Sequence, residues 1–150
     1  MDEIVKQKII FEITQLDEHI SKSSILIKKC RLQEPDYIEM CAVGSILQSY
    51  YNGIENILLL VSKNIDNINF NSQKWHTELL MAMCAPSQKR VSLFSSKIKE
   101  QLVDYMNFRH FFRHSYGYCM KWEKVSALFI NLENNWNEAK KEIQKFIRTV

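Results

Sequence analysis

Residues that interrupt helices are scarce in this chain, which has three glycines and two prolines among 150 residues. Strand-rich domains need many tight turns, and glycine and proline supply much of the backbone geometry that those turns require. A chain with so few of them favours long helices joined by short connections. We therefore predict an all-α protein.

Hydrophobic residues recur at steps of three, four and seven, the period of one helical face. The first thirty residues show this clearly at Ile9, Ile13, Leu16 and Ile20. The whole pattern predicts four long helices and one short one, at about 3–32, 35–63, 72–84, 87–116 and 124–148.

Start and stop signals accompany these helices. Pro35 fits the first turn of the second helix, and Asn71 or Ser72 is expected to cap the short third helix. Gly117 is expected to end the fourth helix in the left-handed conformation. Because no repeat or linker divides the chain, residues 1–150 are predicted to form one domain, a four-helix bundle with an additional short helix.

Composition narrows the class of protein. With 46% hydrophobic and 25% charged residues the chain has the profile of a globular protein, and its net charge of +3 is too small to indicate nucleic-acid binding without a local basic patch. The cysteines show neither a C-x-x-C pair nor the spacing of a zinc site, and no secretory signal is recognisable, so we expect reduced thiols and a cytoplasmic protein.

A membrane span has to be considered because Glu55 is the only charged residue between positions 40 and 62. Gln48, Ser49, Asn52 and Asn56 argue against it, since their polar groups would be costly in lipid. We predict a central bundle helix and no membrane association.

The chemistry concentrates in residues 108–117. Imidazole moves protons near neutral pH and a guanidinium can hold a phosphate through two parallel hydrogen bonds, so this stretch suits phosphoester chemistry. The candidate residues are Arg109, His110, Arg113, His114 and Tyr116.

Arg109 occupies an unusual position, because at about 100° per residue it falls within the apolar stripe of the fourth helix. Burial of an unpaired guanidinium is expensive, so either a carboxylate meets it or the stripe faces a polar cleft. Glu55 is the natural candidate partner. On a continuous helix His114 would lie roughly 140° from Arg109 and Tyr116 within roughly 20° of it.

Several less specific interpretations remain open. The helix could be a core helix whose arginines extend to solvent, and His110 with His114 has the spacing of two metal ligands but no third ligand nearby in sequence. Trp75 and His76 are more simply interpreted as a packed aromatic residue beside a surface histidine. Lys89 and Arg90 are more simply interpreted as part of a solvated face.

The pattern Arg109-x4-His114-x-Tyr116 resembles the signature of HepT-like ribonuclease toxins of the HEPN superfamily. The segments 50–57, 75–80 and 108–123 resemble that family in order and spacing, so the resemblance extends from about Met40 to the C-terminus. Arg-x4-His alone is a weak pattern, whereas the three segments together are fairly specific.

The resemblance implies a metal-independent endoribonuclease and a homodimer whose two motifs converge in a cleft. His114 would act as general base or acid toward the ribose 2′-hydroxyl and the leaving oxygen, while Arg109 holds the scissile phosphate. Glu55 and Asn52 are expected to orient Arg109, and Arg113 to add a phosphate contact. At the position of His110 the family often has a small polar residue, so this histidine either shares the chemistry as a supporting residue or only packs.

The resemblance also implies a partner, a minimal nucleotidyltransferase antitoxin that uses ATP and magnesium to transfer AMP to Tyr116. The resulting adenylate would repel RNA from the site. The alternative hypothesis is a non-catalytic HEPN-like module that docks a nucleotidyltransferase and its substrate, with Arg109 only a structural ion-pair partner.

Overall fold

Six α-helices make up most of the computed structural model, which describes all 150 residues. A π-helical turn at Ser62–Asp66 and a 3-10 turn at Gly117–Cys119 are its other helical segments. The α-helices are α1 Glu3–Leu32, α2 Tyr37–Val61, α3 Trp75–Met83, α4 Ser96–Arg113, α5 Trp122–Ile130 and α6 Leu132–Thr149. The all-α prediction is confirmed.

The central element is α2, which packs against α1, α3, α4 and α5. Its position explains its near lack of charge, because residues on most of its surface are enclosed by other helices. Leu47, Tyr50, Ile54 and Leu58 have no exposed surface at all. None of the helices combines the length and apolarity that a membrane crossing requires.

The start of α2 differs slightly from the prediction. Asp36 is the N-cap and accepts a hydrogen bond from the Glu39 backbone N–H at 2.8 Å, while the Glu39 side chain accepts one from the Asp36 N–H. This reciprocal pair satisfies two backbone donors that the first turn leaves free. Pro35 therefore precedes the cap instead of lying within the first turn.

The short helix α3 also begins later than predicted, at Trp75. Neither Asn71 nor Ser72 is its N-cap, which is Lys74. The Ser72 hydroxyl instead accepts a hydrogen bond from the Lys74 backbone N–H at 3.1 Å. Ser72 thus stabilises the turn before the helix and not the helix end itself.

The predicted start of α4 at position 87 is wrong, because residues 87–95 form a connection and the helix begins after the Ser95 cap. Arg90 is the physical reason. Its side chain is buried and donates to the Asp66 carboxylate and to the carbonyls of Ala82, Ala85 and Val91. The interpretation of Arg90 as part of a solvated face is therefore wrong.

The chain also leaves the helical path earlier than predicted at the other end of α4. The helix ends at Arg113, and His114 caps it with φ −114°. Gly117 does not adopt the left-handed conformation; the only residue with positive φ is Asn67, at the end of the π-helical turn. The angular positions expected for His114 and Tyr116 on a continuous helix consequently do not apply.

The predicted last long helix is divided at Asn131 into α5 and α6. The Asn131 side-chain amide donates to the carbonyl of Ala127 at 2.8 Å, so it bonds the backbone of the preceding turn. Phe129 and Leu132, on the two sides of the break, are both fully buried. The break allows both helices to direct apolar residues into one core.

A close approach of α2 fixes the end of α4. A Cβ atom added at Gly44 would lie 2.5 Å from a ring carbon of Phe112 and 2.9 Å from the Met120 methyl group. Phe112 can pack at this depth because position 44 carries no side chain. The glycine therefore allows the Phe112 ring and the Met120 methyl group to lie directly against the backbone of α2.

We expect Gly44→Ala to lower the free energy of unfolding by about 1–3 kcal/mol, because the Phe112 ring must move out of an already filled space. Urea denaturation measures the change. Gly117→Ala is the matched control, since its new Cβ would meet only ordinary contacts at 3.6 Å. Equal stability of Gly44→Ala and the wild type would contradict the packing argument.

Candidate functional site

Arg109 lies at the centre of a buried polar network between α2 and α4. Its Nη1 donates to Glu55 Oε1 at 3.0 Å and to Asn52 Oδ1 at 2.9 Å, and its Nη2 donates to Glu55 Oε2 at 3.0 Å. The side chains of Arg109 and Glu55 are 4% and 8% exposed. The carboxylate expected to meet this arginine is thus present, and the pairing is bidentate, the strong form of the interaction.

His76, from α3, joins the same network. Its Nδ1 lies 2.7 Å from Glu55 Oε2 and 2.8 Å from Arg109 Nη2. A bare nitrogen lone pair would repel a carboxylate oxygen at 2.7 Å, so we assign the proton to Nδ1, which donates to Glu55. Oε2 then accepts from both nitrogens through its two lone pairs, and the distance from Nδ1 to Nη2 is the third side of this triangle.

The Tyr51 ring packs against the Arg109 guanidinium of this network. The Arg109 Cζ atom lies 4.7 Å from the centre of the Tyr51 ring, the geometry of a cation–π contact. The Tyr51 hydroxyl is buried and has no hydrogen-bond partner within the protein. Burial first, and then the nearby Glu55 charge, raise the pKa of Tyr51, so the phenol stays protonated.

Tyr51→Phe tests whether the ring or the hydroxyl of this residue matters. We expect the free energy of unfolding to rise by about 1 kcal/mol, because an unpaired buried hydroxyl is removed and the ring face is kept. Tyr105→Phe is the matched control: its hydroxyl donates to the Leu128 carbonyl at 2.7 Å, and its loss should cost about 1 kcal/mol. A clear loss of stability in Tyr51→Phe would show that the hydroxyl is satisfied after all.

A cleft of about 590 Å³ opens above this network, between the start of α3 and the end of α4. No aspartate or glutamate lines it, whereas three of its residues are cationic and three are histidines. The residues that line it are Gln73, Lys74, His76, Thr77, Met106, Asn107, Arg109, His110, Arg113 and His114.

The two cationic side chains at the surface of the cleft are Lys74 and Arg113, both exposed and neither in an ion pair. The charge of Arg109 is balanced by Glu55, so Lys74 and Arg113 supply most of the positive potential. Such a concave basic surface attracts anionic groups, phosphates among them.

The rings of His110 and His114 lie side by side in the cleft, with centroids 4.6 Å apart. Both side chains are exposed. No group of three or more His, Cys, Asp or Glu side chains with the proximity of a metal site occurs anywhere in the structure. The metal-site interpretation of the His110-x3-His114 spacing therefore finds no third ligand.

Tyr116 lies outside the residues that line the cleft. It follows the end of α4 and stacks on Tyr118, with ring centroids 5.7 Å apart and an interplanar angle of 12°. The two rings are 76% and 72% exposed. The expectation that Tyr116 shares a helical face with Arg109 is wrong because the helix has ended before it.

The structure therefore brings together most residues that the sequence singled out. Arg109 forms the floor of the cleft and is held there by Glu55 and Asn52, which lie beneath it. His110, Arg113 and His114 form one wall. The sequence interpretation missed Lys74 and the engagement of His76, which it treated as a surface histidine. The signal for His76 was its place in a segment that resembles the family.

Comparison with known proteins gives one result. The family model described as HepT-like protein matches residues 42–150, which include most of α2, all of α3 through α6 and every residue of the cleft. No curated protein and no solved structure matches the chain significantly. The family match covers well over half of the sequence, so the chain is a member of the HepT-like family, within the HEPN superfamily.

Proposed function

We propose that this protein is a metal-independent endoribonuclease and the toxin of a toxin–antitoxin pair in the cytoplasm. The observation that carries the proposal is one basic cleft that contains both Arg109 and His114 of the Arg-x4-His motif. Membership of the HepT-like family supports the toxin assignment. RNA is the substrate because this chemistry uses the ribose 2′-hydroxyl as its nucleophile.

The proposed reaction divides the work among the residues of the cleft. His114 transfers a proton, and the exposed cations Arg113 and Lys74 contact the phosphate. With the Nδ1 proton of His76 given to Glu55, the two Nη atoms of Arg109 donate only to Glu55 and Asn52, so the Nε–H and the second Nη2–H have no acceptor within the protein. Arg109 would therefore contact the phosphate through the Nε and Nη2 edge of its guanidinium, the edge that faces away from Asn52.

Expression without an antitoxin provides the first test. Wild-type protein should arrest growth, and His114→Ala should relieve the arrest at equal protein level. His114→Ala is a better choice than Arg109→Ala, because His114 is exposed and its removal leaves no buried charge. Harmless expression of the wild type at confirmed protein level would contradict the toxin assignment.

The open form of the cleft is consistent with a homodimer in which a second protomer completes the site. Each protomer would contribute its own Arg109 and His114. Light scattering of the purified protein should then give twice the mass of one chain.

A nucleotidyltransferase antitoxin is the proposed partner, and Tyr116 is the proposed acceptor of AMP from its ATP and magnesium. Exposure of the Tyr116 ring supports this assignment, because the enzyme must reach the phenol oxygen. An adenylate two residues from His114 would add negative charge beside the cleft and weaken RNA binding.

Tyr116→Phe should abolish addition of AMP by the cognate antitoxin, as measured by intact mass after incubation with ATP and magnesium. Tyr118→Phe is the matched control, since its ring is equally exposed and stacked on the first, and it should still be modified. Modification of Tyr116→Phe to the wild-type extent would place the acceptor elsewhere.

The second candidate function is the non-catalytic module that docks a nucleotidyltransferase domain. One observation favours it: Arg109 is buried and makes a bidentate pair with Glu55, as a purely structural arginine would. The two candidates differ in catalysis, because the module requires no RNA cleavage and no effect of His114→Ala on growth.

A further inference from the structure

The pairing of Glu55 with His76 has the form of a carboxylate–imidazole dyad. The carboxylate is buried, whereas the imidazole is 32% exposed and lines the cleft. With its proton held on Nδ1 by Glu55, the neutral ring has its lone pair on Nε2, and no protein group occupies that nitrogen. A ring prepared in this way can accept a proton from a bound hydroxyl group.

Two further contacts fix the orientation of this ring. Trp75 stacks against it with centroids 3.6 Å apart and an interplanar angle of 30°. Glu55 is itself held by both Nη atoms of Arg109. The imidazole is thus supported from its face and from its edge, which is the preorganisation expected of a group that transfers protons.

Cleavage of RNA through its 2′-hydroxyl needs two proton transfers, one from the nucleophile and one to the leaving 5′-oxygen. A single histidine cannot be deprotonated for the first and protonated for the second at the same moment. The cleft contains three histidines, of which His76 alone has a carboxylate partner. His110 has only the neighbouring ring of His114.

Resting on the ribonuclease function proposed above, we propose that His76 is the general base of the reaction and that His114 is its general acid. Nε2 of His76 takes the proton of the 2′-hydroxyl as the 2′-oxygen bonds to phosphorus. The bond from phosphorus to the 5′-oxygen breaks, and protonated His114 gives its proton to that oxygen. The products are a 2′,3′-cyclic phosphate and a 5′-hydroxyl, and exchange with water restores both histidines.

Synthetic oligonucleotides separate these roles. A linkage that the wild type cleaves in a mixed-sequence RNA pool is first mapped, and then prepared with either the normal 5′-oxygen or a 5′-sulfur at that position. Sulfur leaves as a thiolate without help from an acid. A variant without the general acid should therefore recover on the sulfur substrate, whereas a variant without the general base should not.

His76→Gln keeps an amide donor for Glu55 but cannot relay a proton, so it distinguishes chemistry from packing. We expect His76→Gln and His76→Ala to cleave both substrates at rates about 100-fold or more below that of the wild type. His114→Ala should lose as much on the oxygen substrate and return to within about tenfold of the wild type on the sulfur substrate.

The pH dependence of the rate supplies a readout that a structural role would not change. The wild type should show a bell-shaped profile, His76→Gln should lose the rise on the acidic side, and His114→Ala the fall on the alkaline side. The charged and titratable groups around His76 are Glu55 from α2, Arg109, His110, Arg113 and His114 from α4, and Lys74 beside it in the chain.

Three outcomes would overturn this assignment. They are near-normal cleavage by His76→Gln, recovery of His76→Gln on the sulfur substrate, and an unchanged acidic side of its pH profile. Failure of the wild type to cleave any RNA is a different result, because it contradicts the ribonuclease function itself. Active wild type with active His76→Gln rejects only the role of His76.

Discussion

His114→Ala is expected to lower the rate of RNA cleavage by about 100-fold to 10,000-fold, because the leaving oxygen then departs without a proton donor. The side chain is exposed and makes no hydrogen bond within the protein, so the free energy of unfolding should change by less than about 0.5 kcal/mol. Single-turnover cleavage and urea denaturation of the same preparation measure the two quantities.

The cleavage rate and the free energy of unfolding together separate a chemical role of His114 from a structural one. A folded, inactive protein assigns His114 to the chemistry, whereas a destabilised one would leave the loss of activity without a clear cause. Cleavage at the wild-type rate by His114→Ala would exclude His114 from the reaction and favour the docking module.

Glu55→Leu is expected to lower the free energy of unfolding by about 3–5 kcal/mol. The substitution leaves the Arg109 guanidinium buried without its counter-charge, and an uncompensated buried charge is among the costliest defects in a folded domain. The Asn52 and His76 contacts cannot compensate, because neither supplies negative charge. Urea denaturation gives the magnitude.

The double variant Glu55→Leu with Arg109→Met is the matched control, since it removes both charges and keeps apolar volume between α2 and α4. Much of the lost stability should return, as it does when a buried pair is replaced as a whole. The double variant should nevertheless remain inactive toward RNA. If Glu55→Leu alone, or Arg109→Met alone, had a free energy of unfolding within about 1 kcal/mol of the wild type, the result would show that water reaches the pair.

Two buried arginines in this fold illustrate how environment separates a structural guanidinium from one that serves a site. Arg90 bonds Asp66 and three backbone carbonyls in a sealed position, so every one of its donors is used within the fold. Arg109 borders an open cleft with histidines and keeps its Nε–H and one Nη2–H free. Only Arg109 is therefore placed to influence a bound phosphate.

Much of the helical layout was predictable because periodicity is a local property. The bounds predicted for α1 are confirmed at both ends, since a regular apolar face extends along its whole length. The errors arise where a long-range contact overrides local preference. Arg90 holds residues 87–95 out of a helix through Asp66, a partner 24 positions earlier in the chain.

The candidate site was predictable to a similar extent. The pairing of Arg109 with Glu55 followed from one charge in each of two apolar faces, because a buried charge needs a counter-charge. The engagement of His76 did not follow, because it depends on how α3 docks beside α2 and no local pattern encodes that approach. The predicted position of Tyr116 is wrong for a related reason, because the prediction assumed that α4 continues through Tyr116, whereas α4 ends three residues before it.

The most direct test of the account is cleavage of one mapped RNA linkage by the purified protein with EDTA present, compared with the same oligonucleotide carrying a single 2′-deoxyribose at that position. We expect cleavage of the first to a 2′,3′-cyclic phosphate and none of the second, with loss of activity in His114→Ala. Cleavage of both oligonucleotides, or activity that requires a metal ion, would contradict a reaction driven by the histidines of this cleft.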